Sequence, residues 1–329
     1  MPKFCGSIPT AAGVLLALTI VAPAMPAAAQ DYPTRPVRII VPFPPGGGND
    51  TVARAVATAL GERLGQQIIV DNRSGAGGVI ATEIVANAPK DGYTLLLVSL
   101  AHAVNPWLYD LKGRYDPIKS LTAVAILTSS TNALTVHPAL PVNNVKDLIA
   151  LARQQPGKIG WAGSNVGSFQ HLGGALFQLR AGVNFLFVPF KGGGPATIDV
   201  IAGHSKVLFG GLFASMPHIR SGKLRVLGVG SLTRNAALPD VPTIAEAGVP
   251  GYEAVNWFGI AAPAGTPAAV VARLHREISA VQDLPAVQQR FESDGAEVVR
   301  MSSAGFGAFM EKELIKWGQV LKESGIKAP

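Results

Sequence analysis

Four segments rich in glycine and small polar residues stand between an apolar run and a helical pattern. They are residues 41–50 (VPFPPGGGND), 99–106 (SLAHAVNP), 162–171 (AGSNVGSFQH) and 189–197 (PFKGGGPAT). A helix begins with unpaired N–H groups and a partial positive charge, so its first turn attracts carboxylates and phosphates. Glycine leaves room for such a ligand beside the backbone. Together the four segments indicate an anion-binding site, whereas any one of them alone could be a simple strand-to-helix turn.

The sequence contains none of the motifs that would assign catalysis, a nucleotide or a metal to these segments. It has no G-x-x-x-x-G-K-[ST] P-loop, no G-x-G-x-x-G dinucleotide loop and no G-x-S-x-G nucleophile elbow. Its six histidines include no H-x-x-x-H or H-E-x-x-H pair. Asp50 and Asp199 fall near expected helix starts, where capping explains them better than acid–base chemistry. We expect no catalytic residue set, no cofactor and no metal.

The first 29 residues have the pattern of a secretory signal peptide. Lys3 is the only charged residue, an apolar run covers 11–22, and small residues precede an expected cleavage after Ala29. The apolar run is shorter than the roughly 20 residues that a membrane span needs. Cys5, the only cysteine, lies in this segment, so the mature chain has no disulfide and no cysteine nucleophile. We therefore expect a secreted protein.

The charge distribution argues against nucleic acid as a partner. The full chain carries a formal charge of +7, and removal of Lys3 with the signal segment leaves +6. The basic residues are scattered, whereas a nucleic-acid-binding protein usually concentrates them in one patch. Scattered basicity fits a mild attraction for small anions.

Helices and strands alternate along the chain from Tyr32. The periodicity predicts helices at 49–64, 79–87, 145–154, 168–181, from 195 onward and at 266–278, and a mostly helical part from about 267 that ends in 309–324. It predicts apolar strands at 37–41, 67–72, 93–99, 158–163, 185–190, 206–211 and 224–230. Asn49 or Asp50, Ser168 and Thr266 are expected as helix caps. Apolar strands separated by helices are typical of parallel β-α-β units, so the pattern predicts an α/β protein with two open sheets.

The four polar segments lie at the carboxyl ends of predicted strands, where open α/β sheets bind ligands. Two belong to each half of the chain, so they line one cleft if the halves face each other. The extended apolar stretches near 129–134 and 253–258 are expected to carry the chain between the domains. This predicts a discontinuous first domain, 30–130 plus 254–329, and a second domain, 131–253.

Four ordered stretches resemble the Bug family, the solute-binding proteins of tripartite tricarboxylate transporters. They cover 32–54, 70–97, 187–203 and 237–267, and the similarity extends over essentially the whole mature chain. The resemblance implies a periplasmic-binding-protein clamshell of type II-like architecture, each domain a mostly parallel sheet flanked by helices. It also implies binding of a small organic carboxylate and delivery to membrane permease subunits. We expect a monomer.

The resemblance also implies which positions contact the ligand. From the first segment these are Phe43, Gly46, Gly47, Gly48 and Asn49, and from the third Ser164, Asn165, Gly167 and Ser168; beside them we place Ser99, His102, Phe169, Phe190, Gly210 and Gly211. Ser168 could instead serve only as a helix cap. His102 and His171 fall at histidine positions of the family, although a lone histidine is more often a structural donor.

The chain departs from the family pattern in one stretch and leaves two other functions open. Many members carry an Asp-Asn pair where Gly210 and Gly211 stand, and a further Asp position is Lys206. The lost acid favours a ligand without an amino group, such as a dicarboxylate or an aromatic acid. Apolar wall for such a ligand is expected from Phe43, Phe169, Phe190, Phe209 and Phe213. The alternatives are a secreted enzyme acting on carboxylic acids and a sensory subunit that presents its ligand to a receptor.

Overall fold

The computed structural model describes residues 1–3, 5–6, 32–293 and 295–324. The expected signal-peptide cleavage after Ala29 lies outside these residues. The account below concerns the compact unit that begins at Pro33. Within the described residues, no helix is long and apolar enough to cross a membrane.

The described strands form one mixed, ten-stranded sheet. They are β1 (Val37–Val41), β2 (Ile68–Asn72), β3 (Thr94–Ser99), β4 (Leu121–Val136), β5 (Gly160–Gly163), β6 (Leu186–Pro189), β7 (Val207–Gly211), β8 (Arg225–Val229), β9 (Val255–Pro263) and β10 (Ala296–Val298). The strand order is β2-β1-β3-β9-β4-β7-β5-β6, and β8 and β10 pair with β4 outside this path.

Strand β4 joins what the sequence predicts as two separate sheets. In the first sheet half β1 pairs in parallel with β2 and β3, and in the second sheet half β5 pairs in parallel with β6 and β7. Residues 121–131 of β4 lie antiparallel to β9, and residues 132–136 lie antiparallel to β7. The two sheets are continuous because one 16-residue strand belongs to both.

Helices cover both sheet halves. Within the described residues they are α1 (Gly48–Leu64), α2 (Val79–Ala86), α3 (Leu100–Leu108), α4 (Val145–Gln154), α5 (Phe169–Ala181), α6 (Gly193–Ile201), α7 (Leu212–Arg220), α8 (Ala268–Gln282), α9 (Pro285–Ser293) and α10 (Ser303–Ser324). Helices α3 and α7 were missed from the sequence. Each helix follows its strand directly, so the sequence has no loop or turn residues that would mark the start of the helix.

Two of the expected helix caps are wrong. The N-cap of α1 is Gly47, and Asn49 and Asp50 lie inside the first turn. The N-cap of α8 is Pro267, while the hydroxyl of Thr266 donates to the carbonyl of Pro263. The third expectation is confirmed, because Ser168 caps α5 by accepting the N–H of His171 at 3.2 Å.

The core of the second sheet half is aromatic. Trp161 and Phe209 meet edge to face with ring centroids 5.6 Å apart, and Phe177 lies 5.2 Å from Phe209. All three are essentially inaccessible to solvent. Such close-packed rings leave little room for adjustment, so they fix the end of β5, from which the segment 162–171 emerges, and the end of β7, which leads directly into α7.

Candidate functional site

A cavity of about 70 Å³ lies where several helices begin. This volume is several times the roughly 10–15 Å³ that a single water needs, so a small molecule can enter. Its walls come from both sheet halves and from the strands between them. The sequence-predicted residues in these walls are Phe43, Gly47, Gly48, Asn49, Ser99, Ser164, Ser168, Phe169 and Gly211.

Five helices contribute their N-terminal residues to this cavity. They are α1 through Gly47–Asn49, α3 through Ser99 and Ala101, α5 through 168–170, α6 through Gly193, and α7 through Gly211 and Phe213. Each N-terminus carries unpaired N–H groups and about half a positive charge. None of the lining residues is charged. The acid in the first turn of α1, Asp50, does not line the cavity and is paired with Arg54. The cavity therefore favours an anionic group, held by dipoles and hydrogen bonds.

The buried carboxylate of Asp50 fixes the glycine loop at the start of α1. It accepts hydrogen bonds from the Gly46 N–H at 3.0 Å, from Arg54 Nε at 3.0 Å and from Asn72 Nδ2 at 3.1 Å. Asn72 Nδ2 also donates to the carbonyl of Phe43 at 2.9 Å. These bonds hold Gly46 at φ 82°, a conformation that glycine adopts without strain.

Asp50 stays ionised in this setting. Burial alone raises the pKa of its carboxyl, but hydrogen bonds from Arg54, Gly46 and Asn72 outweigh it, and the pKa lies below its usual value. Its charge is directed at the loop and at Arg54 and does not line the cavity. Asp50 thus shapes the backbone around the site and leaves the cavity itself neutral.

The segment before α5 is fixed by its own side chains. The Ser164 N–H donates to Gln170 Oε1 at 2.8 Å, and the Gly167 N–H donates to His171 Nδ1 at 3.1 Å. Gly167 has φ 79°, where a side chain would be strained, and a Cβ there would meet the side chain of Leu108 of α3. Glycine at this position therefore suits both the turn and the neighbouring helix.

Two polar residues of the central strands connect the sheet to helices on either side. Ser130 of β4 and Asn256 of β9 lie directly opposite each other, and both line the cavity. Asn256 Oδ1 accepts the Leu100 N–H at 3.3 Å, and Ser130 Oγ accepts the Phe213 N–H at 3.1 Å. They provide the first turns of α3 and α7 with acceptors that neither helix has in its own N-cap residue.

Six of the sequence-predicted site residues do not line the cavity. Gly46 and Phe190 lie along an open groove beside it, and the backbone carbonyl of Asn165 accepts the Ser168 N–H in a turn. Gly167 contacts Leu108, and a Cβ at Gly210 would meet Ser215 Oγ at 2.6 Å, so these two glycines serve packing behind the wall. The sixth residue is His102.

Neither histidine of the family pattern is placed at the cavity. His102 is buried, with Nε2 2.7 Å from the carbonyl of Pro117 and its ring stacked on Tyr115. Burial lowers its pKa. His171 stacks on Trp161, and burial lowers its pKa to about 4, so Nδ1 remains an acceptor for the Gly167 N–H. Both side chains have structural partners.

The cavity also contains residues that sequence reasoning missed. They are Ala101, Ser130, Gln170, Gly193, Thr197, Ala214, Ser215, Asn256 and Phe258. Phe213 lines the cavity as expected, whereas Phe209, expected as wall, is wholly buried in the core. A signal existed for Ser130 and Asn256, because a polar residue inside a buried apolar strand requires a partner. Ala214 and Ser215 lie on α7. Because the sequence did not predict this helix, it could not predict that these two residues line the cavity.

The fold and the cavity define the class of the protein as a periplasmic-type solute-binding protein. The chain belongs to the TctC family, described as the tripartite tricarboxylate transporter family receptor, whose model matches residues 52–326.

Relatives of known sequence and structure agree with this membership. Protein BugT of Bordetella pertussis is 38% identical over 305 residues, which cover 92% of this chain and 94% of BugT. The structure of R. palustris Rpa4515 with adipate is 39% identical with a TM-score of 0.88, covering 91% of this chain and 100% of that one. MatC from Rhodopseudomonas palustris with bound malate is 32% identical with a TM-score of 0.83, covering 88% and 100%.

Proposed function

We propose that this protein captures a small organic carboxylate in the periplasm and delivers it to the membrane subunits of a tripartite tricarboxylate-type transporter. The observation that carries the proposal is the neutral cavity onto which five helices direct their N-termini. Unpaired N–H groups and helix dipoles bind a carboxylate without a cationic side chain. The relatives solved with adipate and malate support the same ligand chemistry.

We further propose that the chain works as a clamshell with domains 30–130 plus 254–329 and 131–253. The paired strands β4 and β9 then form the crossing region. Support comes from the close approach of residues 192–194 of one proposed domain to residues 44–45 of the other. A Cβ at Gly192 would lie 2.8 Å from the ring of Pro44, and one at Gly194 would lie 3.2 Å from the carbonyl of Pro45. Closure on the ligand would be a hinge motion, which small-angle scattering with and without saturating ligand would detect.

The lining favours a carboxylate that has no amino group. A buried ammonium needs a carboxylate or several acceptors, and the lining offers no acid. Phe43, Phe169, Phe213 and Phe258 add apolar wall area suited to the carbon chain or ring of the acid. We favour a dicarboxylate, because helix N-termini of both sheet halves line the cavity and each half can hold one carboxylate.

Two alternatives follow from the same fold. A secreted enzyme would need a nucleophile and a base within reach of each other, and both histidines near the site are held by structural partners. A sensory subunit would bind the same ligand but present it to a receptor. We propose transport because family membership extends over most of the chain.

A ligand screen tests the proposal. We expect a panel of mono-, di- and tricarboxylates to include acids that raise the melting temperature of the mature chain, since a ligand that binds only the folded state stabilises it by mass action. Calorimetry of the best acid should give one site per chain, and incubation should return the acid unchanged. Turnover of the acid would favour the enzyme, and the absence of any stabilising carboxylate would contradict the proposed function.

A further inference from the structure

An open groove lies directly outside the cavity. One wall of the groove is the loop 45–46 before α1, and the other is formed by residues 194–198 of α6, by one face of α7 and by Phe190. The groove has a volume of about 550 Å³, several times that of the cavity. Its two walls belong to the two domains of the proposed clamshell, so the groove and the cavity lie on the same boundary between domains.

The groove and the cavity share part of their wall. Thr197 and Ala214 line both spaces, and the backbone at 46–47 and at 193–194 passes from one to the other. The Thr197 hydroxyl donates to the carbonyl of Gly193 at 2.8 Å, so its own helix holds this side chain, and Ala214 has only a methyl group. The shared wall is therefore one small side chain thick. A group that branches from an acid in the cavity and passes Ala214 enters the groove.

The surface of the groove suits an apolar group. Four apolar residues supply much of it: Pro45, Phe190, Pro195 and Ile198. Ile198 is 60% exposed, and large apolar side chains that share one concave surface are typical of a binding site. Among the lining residues, all in the described part of the chain, only His218 is titratable. Burial and the nearby Lys223 lower its pKa, so the ring is neutral at neutral pH.

We propose that the groove is a second subsite, which takes an apolar branch of the bound acid. The preferred ligand is then a dicarboxylate that carries a hydrophobic group such as a phenyl or benzyl ring. This inference rests on the proposed function, because the cavity holds the carboxylates. The ligand is the favoured occupant because the groove adjoins the cavity through their shared wall. The subsite also brings Gly46 and Phe190, which do not line the cavity, into contact with the ligand.

The two possible kinds of branch differ in what they gain in the groove. An apolar branch removes its surface and that of Ile198 from water, which stabilises the complex in proportion to the area buried. A third carboxylate would lose hydration there, and the lining has no lysine or arginine to compensate for it. The groove therefore favours a branched dicarboxylate over a tricarboxylate.

Matched pairs of acids test the inference by titration calorimetry on the mature chain. The pairs are succinate with 2-benzylsuccinate, glutarate with 3-phenylglutarate, and adipate with 3-phenyladipate, with both enantiomers of each chiral acid. In at least one pair we expect the branched acid to bind at least about tenfold more tightly than the plain acid. Tricarballylate, which is glutarate with a third carboxylate on its central carbon, should bind more weakly than 3-phenylglutarate.

Ile198→Gln tests whether the groove is responsible for the preference. The variant should fold, because Ile198 is largely exposed. The preference for the branched acid should fall to about threefold or less, while the affinity for the plain acid stays within about twofold. Leu179→Gln is the matched control and should keep the preference, because Leu179 is 55% exposed on α5 and lines neither space.

The possible results separate this inference from the proposed function. The inference alone is overturned if no pair shows a preference for the branched acid, which leaves the groove to another occupant such as a protein partner. It is also overturned if the preference persists in Ile198→Gln, or if tricarballylate binds more tightly than 3-phenylglutarate. Failure of every acid to bind, plain or branched, overturns the proposed function as well.

Discussion

Replacement of Asp50 by alanine should destabilise the protein strongly although Asp50 does not line the cavity. Its carboxylate is 4% exposed and accepts from Gly46, Asn72 and Arg54. Arg54 has a side chain that is 55% exposed, so this ion pair contributes only about 0.5 kcal/mol. The two bonds from Gly46 and Asn72 to a buried charge contribute about 1.5 kcal/mol each at the low end of the usual range. We expect the free energy of unfolding to fall by about 3.5 kcal/mol.

Urea unfolding measures this loss, and Asp283→Ala provides the control. Asp283 forms an ion pair with Arg300 at 2.6 Å, but the two side chains are 66% and 50% exposed. Its replacement should cost less than about 1 kcal/mol. Asp50→Ala should also weaken ligand binding, because the Gly46 N–H loses its acceptor and Asn72, which donates to the Phe43 carbonyl, loses its bond to Asp50. If the two variants unfold at the same urea concentration, the carboxylate of Asp50 does not hold the glycine loop and the reasoning fails.

Three further outcomes are expected. Gly47→Val should fold normally, because φ at Gly47 is −87° and the new Cβ would lie 3.8 Å from the Pro44 carbonyl. The methyl groups of the valine should obstruct the ligand and weaken binding at least about tenfold by calorimetry. Unchanged affinity would refute this prediction. Ser168→Ala should cost about 1 kcal/mol in urea unfolding through loss of the α5 cap, and a loss below 0.3 kcal/mol, on the order of measurement error, would contradict it. The pKa of His171 is lowered from 6.5 to about 4, so between these pH values the unfolded chain binds a proton that the folded chain does not. The free energy of unfolding should therefore decrease as pH falls through this window, and His102 acts in the same direction. In His171→Gln the dependence of stability on pH should be weaker. A stability that rises towards pH 4 would contradict this prediction.

Periodicity was sufficient to predict most elements. The apolar run 37–41 and the helical stretch 145–154 coincide with β1 and α4, because each has an uninterrupted pattern and clear boundaries. The sequence could not show that one strand belongs to both sheets. Strand β4 reads as two short apolar runs interrupted by TSSTN at 128–132, and only the pairing with β9 and β7 makes it continuous.

The site residues that could be predicted are those whose role follows from the neighbouring residues in the sequence. Gly47, Gly48 and Ser168 belong to helix starts that composition reveals. Ser130 and Asn256 act through a pairing between distant strands, and Gln170 acts through a bond back to Ser164. Such contacts depend on tertiary structure, which periodicity does not encode. His102 illustrates the opposite error, since its position in the chain suggested a ligand contact but its ring points to Pro117.

Calorimetric titration with acids that differ only by an amino group tests the central claim most directly. The claim is that a neutral cavity, lined by five helix N-termini and by no acid, binds a carboxylate that lacks an ammonium. Succinate with aspartate, glutarate with glutamate, and adipate with 2-aminoadipate are suitable pairs. We predict that the acid without the amino group binds at least about tenfold more tightly in the pair with the best affinity. Tighter binding of the amino acid would contradict this account of the site.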